Sequence, residues 1–111
     1  MTDIPTDIVL SNMETVPGRT IVRHLGLAQG NVVRAKHVGR DIAASFKNIV
    51  GGELRGYTEL LEEARRDALR RMIEDARAQG ANAIVNVRLS TSSVTSGASE
   101  LYAYGTAVIV E

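Results

Sequence analysis

The chain has no cysteine and no excess of charge of either sign, and each absence excludes classes of protein. Without cysteine there is no disulfide framework and no thiolate site for a metal or for redox chemistry. Thirteen Lys and Arg side chains balance thirteen Asp and Glu side chains. A nucleic-acid-binding or membrane-surface protein needs a basic excess for its phosphate contacts, so neither partner is predicted.

Long apolar runs are missing as well. The first residues, MTDIPTDIVLSN, carry acids in place of the basic flank and apolar core of a signal peptide, and no stretch has the length of a transmembrane helix. We therefore predict a cytoplasmic protein. Its 111 residues amount to one domain, 1–111, near the size at which self-association adds to stability.

One long amphipathic helix is the clearest element that is present. Apolar side chains recur every four residues over Leu60–Ala76, which predicts a helix over about Thr58–Gln79. Gly80 follows, where a left-handed C-terminal cap is expected. A shorter helix is predicted in GRDIAASFKNIV, and the pair Gly51–Gly52 ends it.

Several other segments favour β-strands. Ile8–Leu10, Arg19–Leu27 and the separate run NVVRAKHV after Gly30 are β-like. The hydroxyl-rich stretch Ser90–Ser99 is predicted to be a loop, since it has almost nothing to bury. Between the long helix and this loop, ANAIVNVRL alternates as a strand, and the residues predicted to share one face are Ala83, Val85, Val87 and Leu89.

The C-terminal segment ELYAYGTAVIVE predicts a strand with two largely apolar faces. One helix covers one face of a sheet, so we expect the face that carries Tyr102, Tyr104 and Val108 to be buried by copies of the chain. The order β–β–(β)–α–α–β–β predicts an α+β fold. Its two layers are an antiparallel sheet and, packed on it, one long and one short helix.

Three stretches make the chain resemble the YbjQ-like family: NIVGGE before a tyrosine-led helix, then ALRRMIEDARAQGANAIVNVRL, then YGTAVIV. The likeness runs over about Ile8–Val110, nearly the whole chain. It implies a dodecin-like subunit that assembles as a ring-shaped homopentamer. Members carry a heavy-metal-binding label, and no catalytic residues of the family can be transferred to this chain.

The glycine pair raises the question of an anion site. A phosphate-binding loop needs GxxxxGK[ST] spacing, which GGELRGYTELL lacks, and acids stand where an anion would bind, so a plain turn is the preferred interpretation. The side chain of Asn82 either binds a ligand or satisfies backbone groups where the helix gives way to the strand. We expect any ligand site near the family-motif positions Asn48, Gly51, Gly52, Tyr57 and Asn82.

His24 and His37 are the chain's two imidazoles and the candidate metal ligands. Asp41 or Glu14 is a candidate third ligand, and a symmetric ring would also bring copies of one histidine together. No spacing of nucleophile, base or paired acids matches a known catalytic arrangement, so whether the chain is an enzyme stays open, with a non-catalytic role favoured.

Two functions follow from these features. The first is a homo-oligomer, expected to be a pentamer, that binds a small molecule or ion at subunit junctions or in the ring lumen, or that serves as an assembly scaffold. The alternative is a metal-binding protein or metal-dependent enzyme that uses His24, His37 and nearby acids. A metal ion is the one cofactor considered, and its identity is not predicted.

Overall fold

In the described part of the chain, a four-stranded sheet with one long helix packed across it forms the fold. The computed structural model describes residues 4–5, 7–34, 55–95 and 98–111. Across the sheet the strand order is β1-β3-β4-β2. The predicted α+β class is confirmed. In chain order the elements are β1 (Val9–Leu10), β2 (Ile21–Arg34), α1 (Arg55–Ala78), β3 (Ala83–Thr95) and β4 (Ala98–Val110).

The sheet is mixed, whereas an antiparallel one was predicted. β4 runs antiparallel to both β2 and β3, but β1 pairs in parallel with the start of β3, with Val9 opposite Ala83. β1 and β2 lie on opposite edges, so the chain between them crosses the sheet. Val16 in this crossing segment packs on Val85 and Val108, on the face away from the helix.

Helix α1 confirms the predicted helix and supplies five of the twelve buried residues of the main core. Its buried apolar residues pack against β2 and β4, where Ala28 and Ala103 are fully buried. Gly80 has φ +90°, as expected of a left-handed cap. Within the described residues, no helix is both long and apolar enough to cross a membrane. The helix residues in this core are Ala64, Ala68, Met72, Ile73 and Ala76.

Strand β2 joins two runs that were predicted to be separate strands. Gly30, the residue just before the second run, lies inside the continuous strand. A Cβ at Gly30 would collide with the backbone nitrogen of Met72 and the carbonyl oxygen of Ala68. Glycine therefore stands here because the helix backbone passes close to the strand, and the chain does not turn. The rest of the second run, 35–38, and the short predicted helix lie outside the described residues.

Strand β3 turns its side chains over at a bulge. Asn86 has φ +54°, and the register with β4 shifts between Val85 and Arg88. Val85 packs on the face away from the helix, whereas Val87 packs with the helix-side core. The prediction that Ala83, Val85, Val87 and Leu89 share one face is therefore wrong, because the extra residue of a bulge reverses every side chain after it.

The hydroxyl-rich stretch is a paired hairpin where a loop was predicted. β3 continues to Thr95 and β4 begins at Ala98. Ser90 lies opposite Tyr102, and Ser92 lies opposite Glu100. The loop was predicted because the stretch has no apolar face to bury. Ser and Thr nevertheless form a strand here, since β4 supplies backbone hydrogen bonds.

Candidate functional site

One face of the sheet is left uncovered by the helix over much of its length. Along β2, residues 28, 30 and 32 are buried beneath α1, and the residues between them point to the opposite face. Their partners on β4 share that face, with Gln29 opposite Tyr104 and Asn31 opposite Tyr102. We call this surface the tyrosine face, and its residues are Leu27, Gln29, Asn31, Val33, Tyr102 and Tyr104.

The two tyrosines form the centre of this face. Their rings stack with centroids 5.0 Å apart and an angle of 21° between the planes. The Tyr102 hydroxyl donates a 2.6 Å hydrogen bond to Oε1 of Gln29, which fixes the ring against β2. Leu27 and Val33 flank the pair and are 55% and 52% exposed. The face thus presents fixed aromatic rings and exposed aliphatic side chains side by side.

A shallow polar groove runs along one end of the tyrosine face. It is lined by Gln29, Gly30, Asn31, Glu100 and Tyr102. Nδ2 of Asn31 donates to Oε2 of Glu100 at 2.9 Å, which orients the carboxylate. A carboxylate, two amides and a phenol together suit a small polar molecule. Sequence reasoning missed this groove, although the polar residues at 29 and 31 alternate with buried ones in AQGNV.

The other end of the same sheet face is closed by the chain itself. Val16 covers it, and Val108 there is only 2% exposed. The expectation that copies of the chain bury Val108 together with the tyrosines is therefore wrong, because the crossing segment already buries Val108 within one subunit. A Val108→Asp substitution would place a charge in this core and unfold the subunit, so it does not test the interface.

Side chains of α1 reach over the outer edge of β2. These side chains, Arg71, Asp75 and Gln79, are spaced one helical turn apart. They form hydrogen bonds with outward backbone groups of β2 between Leu27 and Asn31. The bonds are Gln79 Nε2 to the carbonyl of Leu27 (2.9 Å), the N–H of Gln29 to Oδ2 of Asp75 (2.9 Å), and Arg71 Nη1 to the carbonyl of Asn31 (2.7 Å).

Asn82, one of the predicted ligand-binding residues, makes bonds inside the fold. Its Nδ2 donates to the carbonyl of Val110 at 2.9 Å, and its Oδ1 accepts from the N–H of Val110 at 2.8 Å. Its backbone N–H donates to the carbonyl of Val108. These contacts support the alternative interpretation, in which Asn82 satisfies backbone groups at the junction of helix and strand. A ligand contact by Asn82 stays a prediction.

Most of the other predicted site residues lie outside the described part of the chain. These are Asn48, Gly51, Gly52 and His37, and the side chain of Tyr57, whose backbone is in the first turn of α1.

His24 is the predicted metal ligand that the structure places. It is exposed on β2 opposite Val108, between two register shifts, at Ile21/Arg23 and at His24/Gly26. Within the described ranges, no three His, Cys, Asp or Glu side chains are grouped to hold one metal ion. The structure therefore places this imidazole at an irregular stretch of an edge strand, and its role as a ligand stays a prediction.

Comparisons with known proteins agree with the sequence motifs. A UPF0145 protein of Hahella chejuensis is 64% identical over 104 residues, covering 94% of this chain and 100% of the relative. A UPF0145 protein of Archaeoglobus fulgidus is 57% identical over 102 residues, covering 92% and 94%. A crystal structure of a protein of unknown function from Pediococcus pentosaceus, assigned to the DUF74 family, shares the fold with a TM-score of 0.53. It is 15% identical and covers 96% of this chain and 100% of its own.

The family model that matches is YbjQ_1, described as "Putative heavy-metal-binding", and the match spans residues 8–111. This range contains the five elements that the structure describes and the whole tyrosine face. The chain therefore belongs to the YbjQ_1 family, as the three sequence stretches predicted.

Proposed function

We propose that this protein works as a homo-oligomer whose subunits meet on the tyrosine face, and we expect a pentamer. The observation that carries the proposal is the uncovered sheet face, on which Leu27 and Val33 are more than half exposed beside a stacked tyrosine pair. Contiguous apolar surface of this kind marks an interaction site. Tyrosines held in place are favoured there, because they bury a large area and lose little conformational freedom.

The elongated shape of the described part of the chain supports the same proposal. Its radius of gyration is 16.5 Å and its extents are 52 × 29 × 21 Å. A compact domain of this length is expected to have a radius of gyration of about 13 Å. An elongated subunit buries less of its own apolar surface than a compact one, and association with copies would bury more of that surface.

The polar groove suggests what such an assembly holds. It lies along the tyrosine face, so a neighbouring subunit seated there would enclose Asn31, Glu100 and Tyr102. A small polar molecule or ion bound at each subunit junction is the ligand class that this lining fits. The role we propose is therefore non-catalytic binding at junctions, or a scaffold in which the assembly itself is the function.

Metal binding is the second candidate, and the family's description together with the exposed imidazole of His24 favours it. A neutral imidazole ligates borderline metals, and cyclic symmetry would bring copies of His24 together. Replacing both His24 and His37 with alanine tests this candidate by elemental analysis of the purified protein. Loss of stoichiometric metal with an unchanged oligomer would support it, and unchanged metal content would contradict it.

Charged substitutions at the rim of the tyrosine face test the main proposal. Leu27→Asp and Val33→Asp alter exposed side chains, so we expect little change in the subunit's own stability, within about 0.5 kcal/mol. Sedimentation velocity should show that each variant dissociates. Met13→Asp is the matched control, because Met13 is 53% exposed but lies in the crossing segment. Full-sized oligomers in both face variants would contradict the proposal.

A further inference from the structure

Among the described residues, Glu100 is the charged side chain that lines the polar groove. One oxygen of its carboxylate accepts from Nδ2 of Asn31 at 2.9 Å, and Oγ of Ser92 lies 3.5 Å from the other. Both donors are neutral, and no Lys, Arg or His of the described chain forms an ion pair with Glu100. The carboxylate is therefore held in place while its negative charge stays unbalanced in the groove.

The helix side chains at the outer edge of β2 do not reverse this sign. Arg71 is the cation among those that bond the strand, and it stands 3.4 Å from Asp67. Asp67 also pairs with Arg70, which bonds Glu74 at 2.8 Å, so these two cations and two anions cancel. Asp75 accepts from a strand N–H at 2.9 Å and has no ion pair within the described residues. The edge thus adds a negative charge, which disfavours an anionic ligand.

The ring of Tyr102 gives the groove an aromatic wall. Glu100, Tyr102 and Tyr104 are alternate residues of β4, so their side chains lie in a row on one face of the sheet. Tyr104 stacks on one side of the Tyr102 ring, which turns the other side of that ring toward Glu100. In agreement, the described lining of the groove includes Glu100 and Tyr102 but not Tyr104. The face of an aromatic ring is negative and attracts a cation.

Two hydrogen-bond donors of the groove are already used inside it. The Tyr102 hydroxyl donates to Oε1 of Gln29, and Nδ2 of Asn31 donates to Glu100. Oδ1 of Asn31 has no hydrogen bond to any described residue, so it and the carboxylate can accept from a ligand. An ammonium group offers three N–H donors and no acceptor, which matches these two oxygen acceptors.

The lining suits an organic cation better than a bare metal ion. In residues 4–5, 7–34, 55–95 and 98–111, no three His, Cys, Asp or Glu side chains group around one point, and the groove offers a single carboxylate. Metal ions that bind oxygen need several such ligands. Val33 lies opposite Glu100 on β2 and is 52% exposed, so an apolar surface adjoins the carboxylate. That surface suits the carbon chain of an organic ligand.

We propose that the groove binds a protonated organic amine, with its ammonium group between the carboxylate of Glu100 and the ring of Tyr102 and its carbon chain on Val33. This inference rests on the proposed function, since it names the ligand class of the same groove. A charge-assisted hydrogen bond and a cation–π contact both require a positive head group, so they select an amine over a neutral or anionic molecule of equal size.

Three ligands with the same four-carbon chain test the head group: butylammonium, 1-butanol and butyrate. Saturation-transfer NMR titrations of the untagged native protein should give butylammonium a dissociation constant at least about tenfold below that of 1-butanol, with butyrate the weakest of the three. Added salt should weaken the binding of butylammonium and leave that of 1-butanol unchanged. Equal binding of butylammonium and 1-butanol would overturn the inference.

Substitutions in the groove test the two contacts separately. Glu100→Gln keeps the shape and removes the charge, so the dissociation constant of butylammonium should rise at least about tenfold. Tyr102→Leu removes the ring and should also weaken binding, whereas Tyr102→Phe keeps the ring and should stay within about threefold of native. Glu14→Gln, at an exposed carboxylate outside the groove, is the matched control and should bind as native does. Native affinity in Glu100→Gln would overturn the inference. If circular dichroism shows that Tyr102→Leu is unfolded, Glu100→Gln decides.

Sedimentation velocity on the same samples separates this inference from the proposed assembly. An oligomer that shows no preference for butylammonium would overturn the inference and leave the assembly standing. A monomer that binds butylammonium through Glu100 would support the ligand class and overturn the assembly. If Glu100→Gln dissociates the oligomer while the native protein shows no preference for the amine, the carboxylate contacts a neighbouring subunit, and the inference is overturned.

Discussion

The carboxamide of Asn82 holds both backbone groups of Val110, donating to its carbonyl at 2.9 Å and accepting from its N–H at 2.8 Å. Asn82 precedes β3, and Val110 is the last residue of β4. Val110 is 2% exposed, so its backbone groups have little access to water as a substitute partner. The side chain thus continues the β3–β4 ladder by one further pair of bonds.

Replacing Asn82 with alanine should destabilise the fold, because both backbone groups of Val110 lose the bond to this side chain and only the carbonyl keeps a second, longer contact, to Arg19 Nη2 at 3.5 Å. We expect a loss of about 1–3 kcal/mol in the free energy of unfolding, measured by urea denaturation. Asn12→Ala, at an exposed asparagine, is the control and should change that free energy by less than about 0.5 kcal/mol. Unchanged stability together with a lost ligand would instead make Asn82 a ligand-binding residue.

Gly30 fixes how closely α1 approaches β2, and Gly30→Ala should push the two apart. A Cβ there meets helix backbone at Met72 and Ala68, which cannot move aside as a flexible side chain can. We expect a loss of about 1–3 kcal/mol from this overpacking. Gly18→Ala makes a useful comparison, because Gly18 has φ +78° and open space around it, so its cost is conformational only. An unfolding free energy equal to the native one for Gly30→Ala would show that the contact is looser than described.

The ion pair between Asp7 and Arg77 should give the fold a small, acid-sensitive contribution to stability. Arg77 donates to both carboxylate oxygens of Asp7, at 2.6 and 3.1 Å, and this hydrogen bonding lowers the pKa of Asp7 below its ordinary 3.8. A carboxyl whose folded-state pKa is lowered stabilises the fold above its unfolded pKa. That contribution is lost as the pH falls through the lower, folded-state value.

A comparison of thermal unfolding midpoints between native protein and Asp7→Asn tests this dependence. The native protein should melt at a higher temperature near pH 7, and the difference should shrink as the pH falls below 3.8. Because the pair is exposed to water, the effect should be small and weaken with added salt. Glu14→Gln, at another exposed carboxylate, controls for the loss of one negative charge. A difference that grows toward acid pH would contradict the assignment.

The sequence predicted the elements whose signals are local. The four-residue repeat of α1 and the cap at Gly80 are set by neighbouring residues, and both were found. Errors arose where a distant partner decides the conformation. The run after Gly30 was predicted to be a separate strand, but Gly30 lies inside β2, where α1 passes close to it. Ser90 was predicted to lie in a loop, but it pairs with Tyr102 of β4.

The candidate site depended even more on long-range pairing. The bulge at Asn86 is held by the crossing segment through Met13, so no periodicity within β3 reveals that Val87 changes face. The tyrosines were identified correctly as lying on one face. Val108 was grouped with them because the alternation along β4 predicts which side chains share a face. It does not predict that the crossing segment covers one end of that face.

The mass of the untagged native protein in solution tests the central claim most directly. Native mass spectrometry and sedimentation equilibrium should both give five times the subunit mass of 12.0 kDa, with elemental analysis of the same sample reporting any bound metal. A different closed oligomer would keep the tyrosine face as the interface and correct the stoichiometry. A 12.0 kDa monomer at micromolar and higher concentrations would contradict the account.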